Sequence, residues 1–250
     1  MKKPEPIVFK DLETLSQFAA DRFAGLAQAA VDKTGVFFTA ISGGSTPRRM
    51  YQILAESPYP DLLPWSKIQF YWCDERCVPP DHEESNYALA NELLFFKIGL
   101  PKENIHRIRG ELSPIKAAAD YAEKLSLVAA KGLRWPRFDL VLLGMGSDGH
   151  IASLFPGPIS KVEQSSPVMA VTAQYEDRPA DRVTLTPLVF NTSQNIIFLV
   201  SGINKAVALR SMMTSSGNPS QLPALRIQPE DGTITWLVDQ EAASLLHFPQ

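Results

Sequence analysis

The chain has 250 residues, of which 45% are hydrophobic and 20% are charged, and its formal net charge is −3. This balance supports a sizeable buried core and argues against a largely disordered chain. A mildly acidic protein is a poor general binder of nucleic acid or of anionic membranes, although a local basic pocket can still hold a small anion.

The first residues and the cysteines indicate the cellular compartment in which the protein is expected. Residues 1–6 carry charge and proline where a secretory signal needs an apolar stretch, and no run of eighteen apolar residues occurs. Cys73 and Cys77 are the two cysteines, and in an extended segment they are too far apart for a disulfide. We therefore expect a cytoplasmic protein with reduced thiols and no membrane association.

Strands and helices alternate along the predicted chain. Apolar residues recur at helical spacing from Leu15 to Ala30 and predict a first helix, and Ser85 has the side chain of a helix N-cap. Strands are expected at residues 36–41, 68–73, 138–143, 168–172, 195–200 and 233–238, and further helices through Met50 to Leu54, after Ser85, and at 115–130, 205–213 and 240–246. This alternation predicts one α/β domain over residues 1–250, with a mainly parallel sheet and helices on both faces.

Three unusual segments follow predicted strands, at the edge where parallel sheets bind ligands. The first consists of Ser42, Gly43, Gly44, Ser45, Thr46 and Pro47. Glycines allow close approach of a ligand, Thr46 can cap the next helix, and Pro47 suits the first helical position. Amides and hydroxyls at such a helix start indicate a phosphate-binding loop, and an ordinary strand-to-helix turn is the alternative.

The second segment is Asp74-Glu75-Arg76. Arg76 can hold an oxyanion or a phosphate, and Asp74 can orient Arg76 or a substrate hydroxyl. A solvated loop with local ion pairs is the alternative. Cys73, Cys77 and His82 lie in or beside this segment, but a Cys-x-x-x-Cys without a second cysteine pair is only a weak zinc pattern, and we expect no metal.

The third segment runs from Gly144 to His150 and matches the dinucleotide pattern G-x-G-x-x-G. Pro156 shortens the helix that this pattern needs, so a catalytic turn is favoured over nucleotide binding. His150 lies beyond a buried strand, Asp148 can orient its ring, and a neutral histidine can take a proton from water. A purely structural histidine is the alternative.

Two basic residues complete the candidate site. Arg182 and Lys205 can both be surface charges. Alternatively, both can converge on the phosphate, which the Arg182 guanidinium would bind in bidentate fashion and the Lys205 ammonium as a point charge. The sequence has no G-x-S-x-G turn, so a serine-hydrolase mechanism has no support.

Taken in this order, the segments resemble the 6-phosphogluconolactonase family over nearly the whole chain. The matching pieces are residues 42–47, 74–76, 85–87, 144–157, 181–184 and 202–206. The resemblance implies a single-domain, Rossmann-like α/β sandwich. It also implies hydrolysis of 6-phospho-D-glucono-1,5-lactone to 6-phosphogluconate in the pentose phosphate pathway, with no cofactor.

Glucosamine-6-phosphate deaminases are similar in fold and in the glycine loop. They typically continue the histidine turn as Gly-His-Ile-Ala-Phe-Asn-Glu-Pro and usually have Asp-Glu-Tyr in the second segment. Here Phe155 takes the place of that glutamate and Arg76 that of the tyrosine, whereas Ile151 stands where many lactonases have threonine. A non-catalytic sugar-phosphate-binding protein would share the phosphate loop, and a nicotinamide-dependent dehydrogenase would share the glycine pattern of the third segment.

On the lactonase interpretation, His150 is the base and Asp148 orients it. Arg76, oriented by Asp74, or nearby amides stabilise the oxyanion, while residues 42–46 with Arg182 and Lys205 anchor the phosphate. We expect a monomer that binds a small sugar-phosphate lactone.

Overall fold

The computed structural model describes residues 5–174, 178–214 and 217–246, so both ends of the predicted 1–250 domain lie outside the described residues. In chain order the strands are β1 (Ile7–Phe9), β2 (Phe37–Ile41), β3 (Ile68–Trp72), β4 (Asp74–Arg76), β5 (Ile105–His106), β6 (Leu140–Gly144), β7 (Val168–Thr172), β8 (Asp181–Leu185), β9 (Asn195–Val200) and β10 (Thr233–Asp239). Seven of them form a parallel sheet in the order β1-β10-β9-β6-β2-β3-β5.

Helices cover both sides of this sheet. They are α1 (Leu12–Thr34), α2 (Ser45–Leu54), α3 (Tyr59–Leu62), α4 (Asn86–Ala90), α5 (Phe96–Ile98), α6 (Pro114–Leu127), α7 (Lys161–Ser165), α8 (Pro187–Phe190) and α9 (Ala206–Thr214). A π-helical turn, Asn91–Phe95, joins α4 to α5. The predicted α/β class, with a mainly parallel sheet and helices on both faces, is confirmed.

Two helix starts show how the sequence produces these elements. Asp11 caps α1, because its carboxylate accepts the Thr14 amide at 2.9 Å while the Thr14 side chain bonds back to Asp11. Ser85 caps α4 as predicted, accepting the Ala88 amide at 3.1 Å. The caps satisfy amides that the first helical turn would otherwise leave without a partner.

A second sheet, with the antiparallel order β4-β8-β7, is absent from the prediction. The chain crosses into it at Cys73, whose amide donates to Ile41 in the parallel sheet while its carbonyl accepts from Leu185, both at 2.8 Å. Asp74-Glu75-Arg76 is therefore a strand rather than a solvated loop. Strand β7 has its predicted bounds but belongs to this second sheet.

Two further predictions were wrong in detail. Residues 240–245 form turns and residue 246 has no regular structure, so the predicted helix is absent from this described segment. The Asp239 carboxylate accepts the Ala242 amide at 2.8 Å, but no helix follows this contact. Helix α2 begins at Ser45 with Gly44 at the N-cap, so Thr46 is already inside the helix and Pro47 is its third residue.

The buried apolar side chains form one cluster around the parallel sheet. Large aromatic rings contribute much of it, including Phe198 stacked on Trp236 with centroids 3.9 Å apart. Of the helices in the described ranges, none has the length and apolarity needed to cross a bilayer.

Candidate active site

A cleft of about 190 Å³ lies beyond the carboxyl ends of β2, β3 and β6, where open parallel sheets place their ligands. Ten of the eleven predicted site residues line it: Ser42, Gly43, Gly44, Ser45, Thr46, Asp74, Arg76, His150, Arg182 and Lys205. The eleventh, Asp148, is hydrogen-bonded to the His150 ring. The structure therefore brings the three sequence segments and both predicted basic residues together.

The phosphate-loop candidate opens α2. Gly44 has φ 95°, and within the described chain no side chain caps the first turn of α2. The backbone amides of that turn are therefore available to an anion, apart from Pro47, which has no N–H. The Ser42 hydroxyl donates to the Leu142 carbonyl at 2.9 Å, and the Tyr51 hydroxyl donates to the Ser42 carbonyl at 2.6 Å. Ser42 thus attaches the loop to the sheet and to α2.

Asn86 packs directly against the phosphate loop and was not predicted as a site residue. A Cβ on Gly43 would lie 1.8 Å from Asn86 Oδ1, so only glycine leaves room for this contact. Asn86 also lines the cleft. The sequence carried a signal for it, since Ser85-Asn86-Tyr87 is one of the pieces in the family resemblance.

His150 and Asp148 form a hydrogen-bonded pair. Asp148 Oδ1 lies 2.6 Å from His150 Nδ1 and accepts the His150 amide at 3.1 Å. A proton on Nδ1 leaves Nε2 as the proton acceptor. Burial raises the pKa of Asp148, but the hydrogen bonds and charge of His150 lower it more, and the net result is below its usual value. Asp148 is therefore ionised at neutral pH.

The turn that carries this pair depends on Gly146. A Cβ on Gly146 would lie 2.1 Å from His150 Nδ1 and 2.5 Å from Asp148 Oδ1. The glycine pattern of the third segment therefore admits the His150–Asp148 contact. Residues 144–160, all described, contain no helix, so the turn lacks the helix start that dinucleotide binding uses.

Phe155 lies against the His150 ring. The two ring centroids are 5.1 Å apart, at an interplanar angle of 47°. Arg226 holds this loop by donating to the carbonyls of Phe155 and Gly157, at 3.2 and 3.1 Å, while pairing with Glu163 at 3.0 Å. An aromatic ring thus occupies the position at which the deaminase pattern has its glutamate.

Four cationic side chains line the cleft: Arg76, Arg178, Arg182 and Lys205. Arg76 and Arg182 are register partners on β4 and β8. Like charges at such opposed positions repel each other, and four cations in one cleft make its lining electropositive. Arg76 also donates to the Glu84 carbonyl and to its carboxylate, the latter at 3.2 Å. This arrangement favours an anionic ligand.

Arg178 was not predicted. It precedes Arg182 by four residues, in a segment whose sequence has no strand or helix pattern. Its positive charge was therefore the one sequence feature that could have indicated a site residue. Burial lowers the pKa of Lys205, and Arg178 lowers it further, whereas Asp148 acts in the opposite direction. Lys205 is therefore within electrostatic range of both Arg178 and Asp148.

Glu75 has a structural position behind the cleft. It is buried, and its carboxylate accepts the backbone amides of Arg76, Asn86 and Tyr87 at 2.7–2.8 Å. The Ser85 hydroxyl is a fourth donor, at 3.1 Å. Burial raises the pKa of Glu75 to about 7, although the amide hydrogen bonds act against this. Glu75 thus attaches the start of α4 to β4.

The weak zinc pattern has no geometric support. Cys73 is buried, with Sγ 3.5 Å from the Leu142 carbonyl, and His82 Nδ1 accepts the Glu84 amide at 3.0 Å. Across the described part of the chain, no group of three or more His, Cys, Asp or Glu side chains is arranged to hold a metal ion.

Comparison with known proteins agrees with this geometry. A family model described as glucosamine-6-phosphate isomerases/6-phosphogluconolactonase matches residues 10–236. The chain belongs to this family. The 6-phosphogluconolactonase of Haemophilus influenzae is 37% identical over 231 residues, covering 88% of this chain and 97% of the relative. The predicted resemblance is confirmed.

Solved structures of the family share the fold. The 6-phosphogluconolactonase of Trypanosoma brucei superposes with a TM-score of 0.86 at 27% identity, covering 99% of this chain and 100% of that one. A monomeric glucosamine-6-phosphate deaminase has a TM-score of 0.79 at 24% identity, covering 97% of this chain and 100% of that one. The likeness to the deaminase shows the fold alone.

Proposed function

We propose that this protein hydrolyses 6-phospho-D-glucono-1,5-lactone to 6-phosphogluconate, a step of the pentose phosphate pathway. The observation that carries the proposal is one cleft that combines an uncapped helix start and four cations with the His150–Asp148 pair. The 37% identity to a 6-phosphogluconolactonase supports the same activity. Phe155, in place of the deaminase glutamate, favours hydrolysis over deamination.

His150 is the general base in this proposal. Nε2 takes a proton from a water molecule as the water oxygen attacks the lactone carbonyl, and Asp148 holds the proton on Nδ1 and stabilises the imidazolium. The tetrahedral intermediate then collapses, the bond to the ring oxygen breaks, and the imidazolium returns the proton to that oxygen. The products are a hydroxyl and a carboxylic acid, and the acid releases its remaining water-derived proton to solvent to become the carboxylate; no metal or organic cofactor takes part.

The phosphate binds at the start of α2 in this proposal. Amides of residues 43–46 donate to its oxygens together with Arg182 and Lys205, and Arg178 adds a third cation. Arg76, held on one side by Glu84, stabilises the oxyanion of the tetrahedral intermediate. Anchoring the phosphate positions the lactone for attack and reduces the entropic cost of the reaction.

A coupled assay tests the proposed function. The lactone is generated freshly with glucose-6-phosphate dehydrogenase, and its hydrolysis is followed with 6-phosphogluconate dehydrogenase, with and without this protein. We expect hydrolysis well above the spontaneous rate and no release of ammonia from glucosamine 6-phosphate. Ammonia release without lactone hydrolysis would instead establish a deaminase.

Two further functions are separated by binding measurements. A non-catalytic sugar-phosphate-binding protein would bind 6-phosphogluconate without accelerating hydrolysis of the lactone. A nicotinamide-dependent dehydrogenase would bind NAD or NADP in a titration, and we expect no such binding.

We also propose a cytoplasmic monomer that binds neither nucleic acid nor membranes. The free thiols Cys73 and Cys77 support a reducing compartment. Size-exclusion chromatography with light scattering should give one species near 27.6 kDa, and a species of twice that mass would contradict the monomer.

A further inference from the structure

A chain of buried polar side chains borders the cleft. Ser153, Asp74 and Asn86 are 0%, 5% and 3% exposed. The Ser153 hydroxyl donates to Asp74 Oδ2 at 2.7 Å, and Asn86 Nδ2 donates to Oδ1 at 3.3 Å and to the Asp74 carbonyl at 2.9 Å. Both carboxylate oxygens of Asp74 thus have a donor, which is the condition under which a buried carboxylate is tolerated.

This chain links the histidine turn to the phosphate loop. Ser153 lies three residues after His150, in the turn closed by the bridge between Ile151 and Leu154. At the other end, Asn86 packs against Gly43 in the phosphate loop. Asp74, at the start of β4, connects them.

The turn between His150 and Ser153 is held in a strained conformation. Ala152 has φ 46°, in the left-handed region that alanine rarely adopts. Such a conformation persists only where surrounding contacts enforce it. The hydrogen bond from Ser153 to Asp74 is one of these contacts, and without it the turn can relax and carry the His150 ring with it.

We propose that Ser153, Asp74 and Asn86 are positioning residues that fix the distance between the His150 base and the phosphate loop. This inference rests on the proposed function, because it requires His150 as base and residues 43–46 as phosphate site. A substrate anchored by its phosphate presents its carbonyl at a set distance from that anchor. A displacement of the base by about 1 Å can then lower turnover about 100-fold.

Asp74 acts here by accepting hydrogen bonds and not by transferring a proton. An asparagine can keep both side-chain contacts, because its amide can donate to Ser153 Oγ while its oxygen still accepts from Asn86. Asp74→Asn should therefore lose less turnover than Asp74→Ala, which removes both contacts.

The decisive variant is Ser153→Ala, compared with Ser193→Ala. Ser193 is equally buried, and its hydroxyl donates to the Val189 carbonyl at 3.1 Å, away from the site. Each variant is assayed on 6-phosphoglucono-lactone and on glucono-1,5-lactone, which lacks the phosphate. The readout is the ratio of kcat/KM for the two substrates.

We expect Ser153→Ala to lower kcat on the phosphorylated lactone by about 10- to 100-fold and to shrink the ratio. The unphosphorylated lactone has no anchor, so its hydrolysis falls much less. Ser193→Ala should leave the ratio unchanged. An equal fall for both substrates in Ser153→Ala would indicate a merely structural role and would overturn the inference.

The comparison of Asp74→Asn with Asp74→Ala keeps the inference testable if Ser153→Ala does not fold. A kcat/KM ratio that is nearer to the parental value in Asp74→Asn than in Asp74→Ala supports positioning. Equal losses in the two folded variants would assign proton transfer or charge to Asp74 and would overturn the inference. Failure of the proposed function is distinguishable from both results, because the parent itself would then not hydrolyse the phosphorylated lactone.

Discussion

Replacing Gly146 with alanine should displace the base without disturbing the fold. The φ angle of Gly146 lies outside the left-handed region, so alanine is allowed there by the backbone. Its Cβ would lie 2.1 Å from His150 Nδ1, whereas ordinary contact begins at 3.4 Å. The ring must therefore retreat by about 1.3 Å, because neighbouring atoms in a packed structure cannot overlap.

A displacement of this size predicts a fall in kcat of about 100-fold for Gly146→Ala. The assay is the coupled lactone hydrolysis, with urea unfolding to confirm that stability is retained. Gly144→Ala is the control at the end of β6, two residues earlier, since the nearest atom to its Cβ is the Leu199 carbonyl oxygen at 4.0 Å. Parental turnover in Gly146→Ala would refute the claim that the His150–Asp148 contact matters for catalysis.

Three further predictions concern stability, pH and binding. Arg226→Met leaves Glu163 buried without its partner, so the free energy of unfolding should fall by about 3–5 kcal/mol in urea titrations, and an unchanged midpoint would contradict this. Burial raises the pKa of Glu75 from 4.5 to about 7, so the folded state favours the protonated carboxyl. The stability that this protonated carboxyl contributes is complete below pH 4.5 and is lost as the pH rises towards 7. The unfolding free energy of the parent relative to Glu75→Gln should fall over that interval, and a constant difference would contradict the burial argument. Lys205→Ala should raise KM for the phosphorylated lactone by about 10- to 100-fold, because hydrogen bonds to charged groups contribute about 1.5–3 kcal/mol. KM for glucono-1,5-lactone should stay unchanged, and an equal rise for both lactones would remove Lys205 from the phosphate site.

The parallel sheet could be predicted because its buried strands are continuous apolar runs between amphipathic helices. Strands β9 and β7 have the predicted bounds. The second sheet could not be predicted in the same way, since β4 has only three residues and all of them are charged. Pairing with β8, more than one hundred residues later, makes it a strand, and local sequence carries no signal for that contact.

The candidate site was more predictable than the fold around it. Glycine-rich and charged segments after strands converge because parallel strands end at one edge of the sheet. Asn86, Ser153 and Arg178 were missed for different reasons. Asn86 and Ser153 contact the site through Asp74 and Gly43, which depends on tertiary distances, and Arg178 lies in a loop whose position no periodicity determines.

Turnover of His150→Ala on 6-phosphoglucono-lactone tests the central claim most directly. We expect kcat to fall by about 10²- to 10⁴-fold, the usual contribution of a general base. Binding of 6-phosphogluconate should be retained, because the phosphate contacts lie on other elements. Full turnover in this variant would contradict the assignment of His150 as the base.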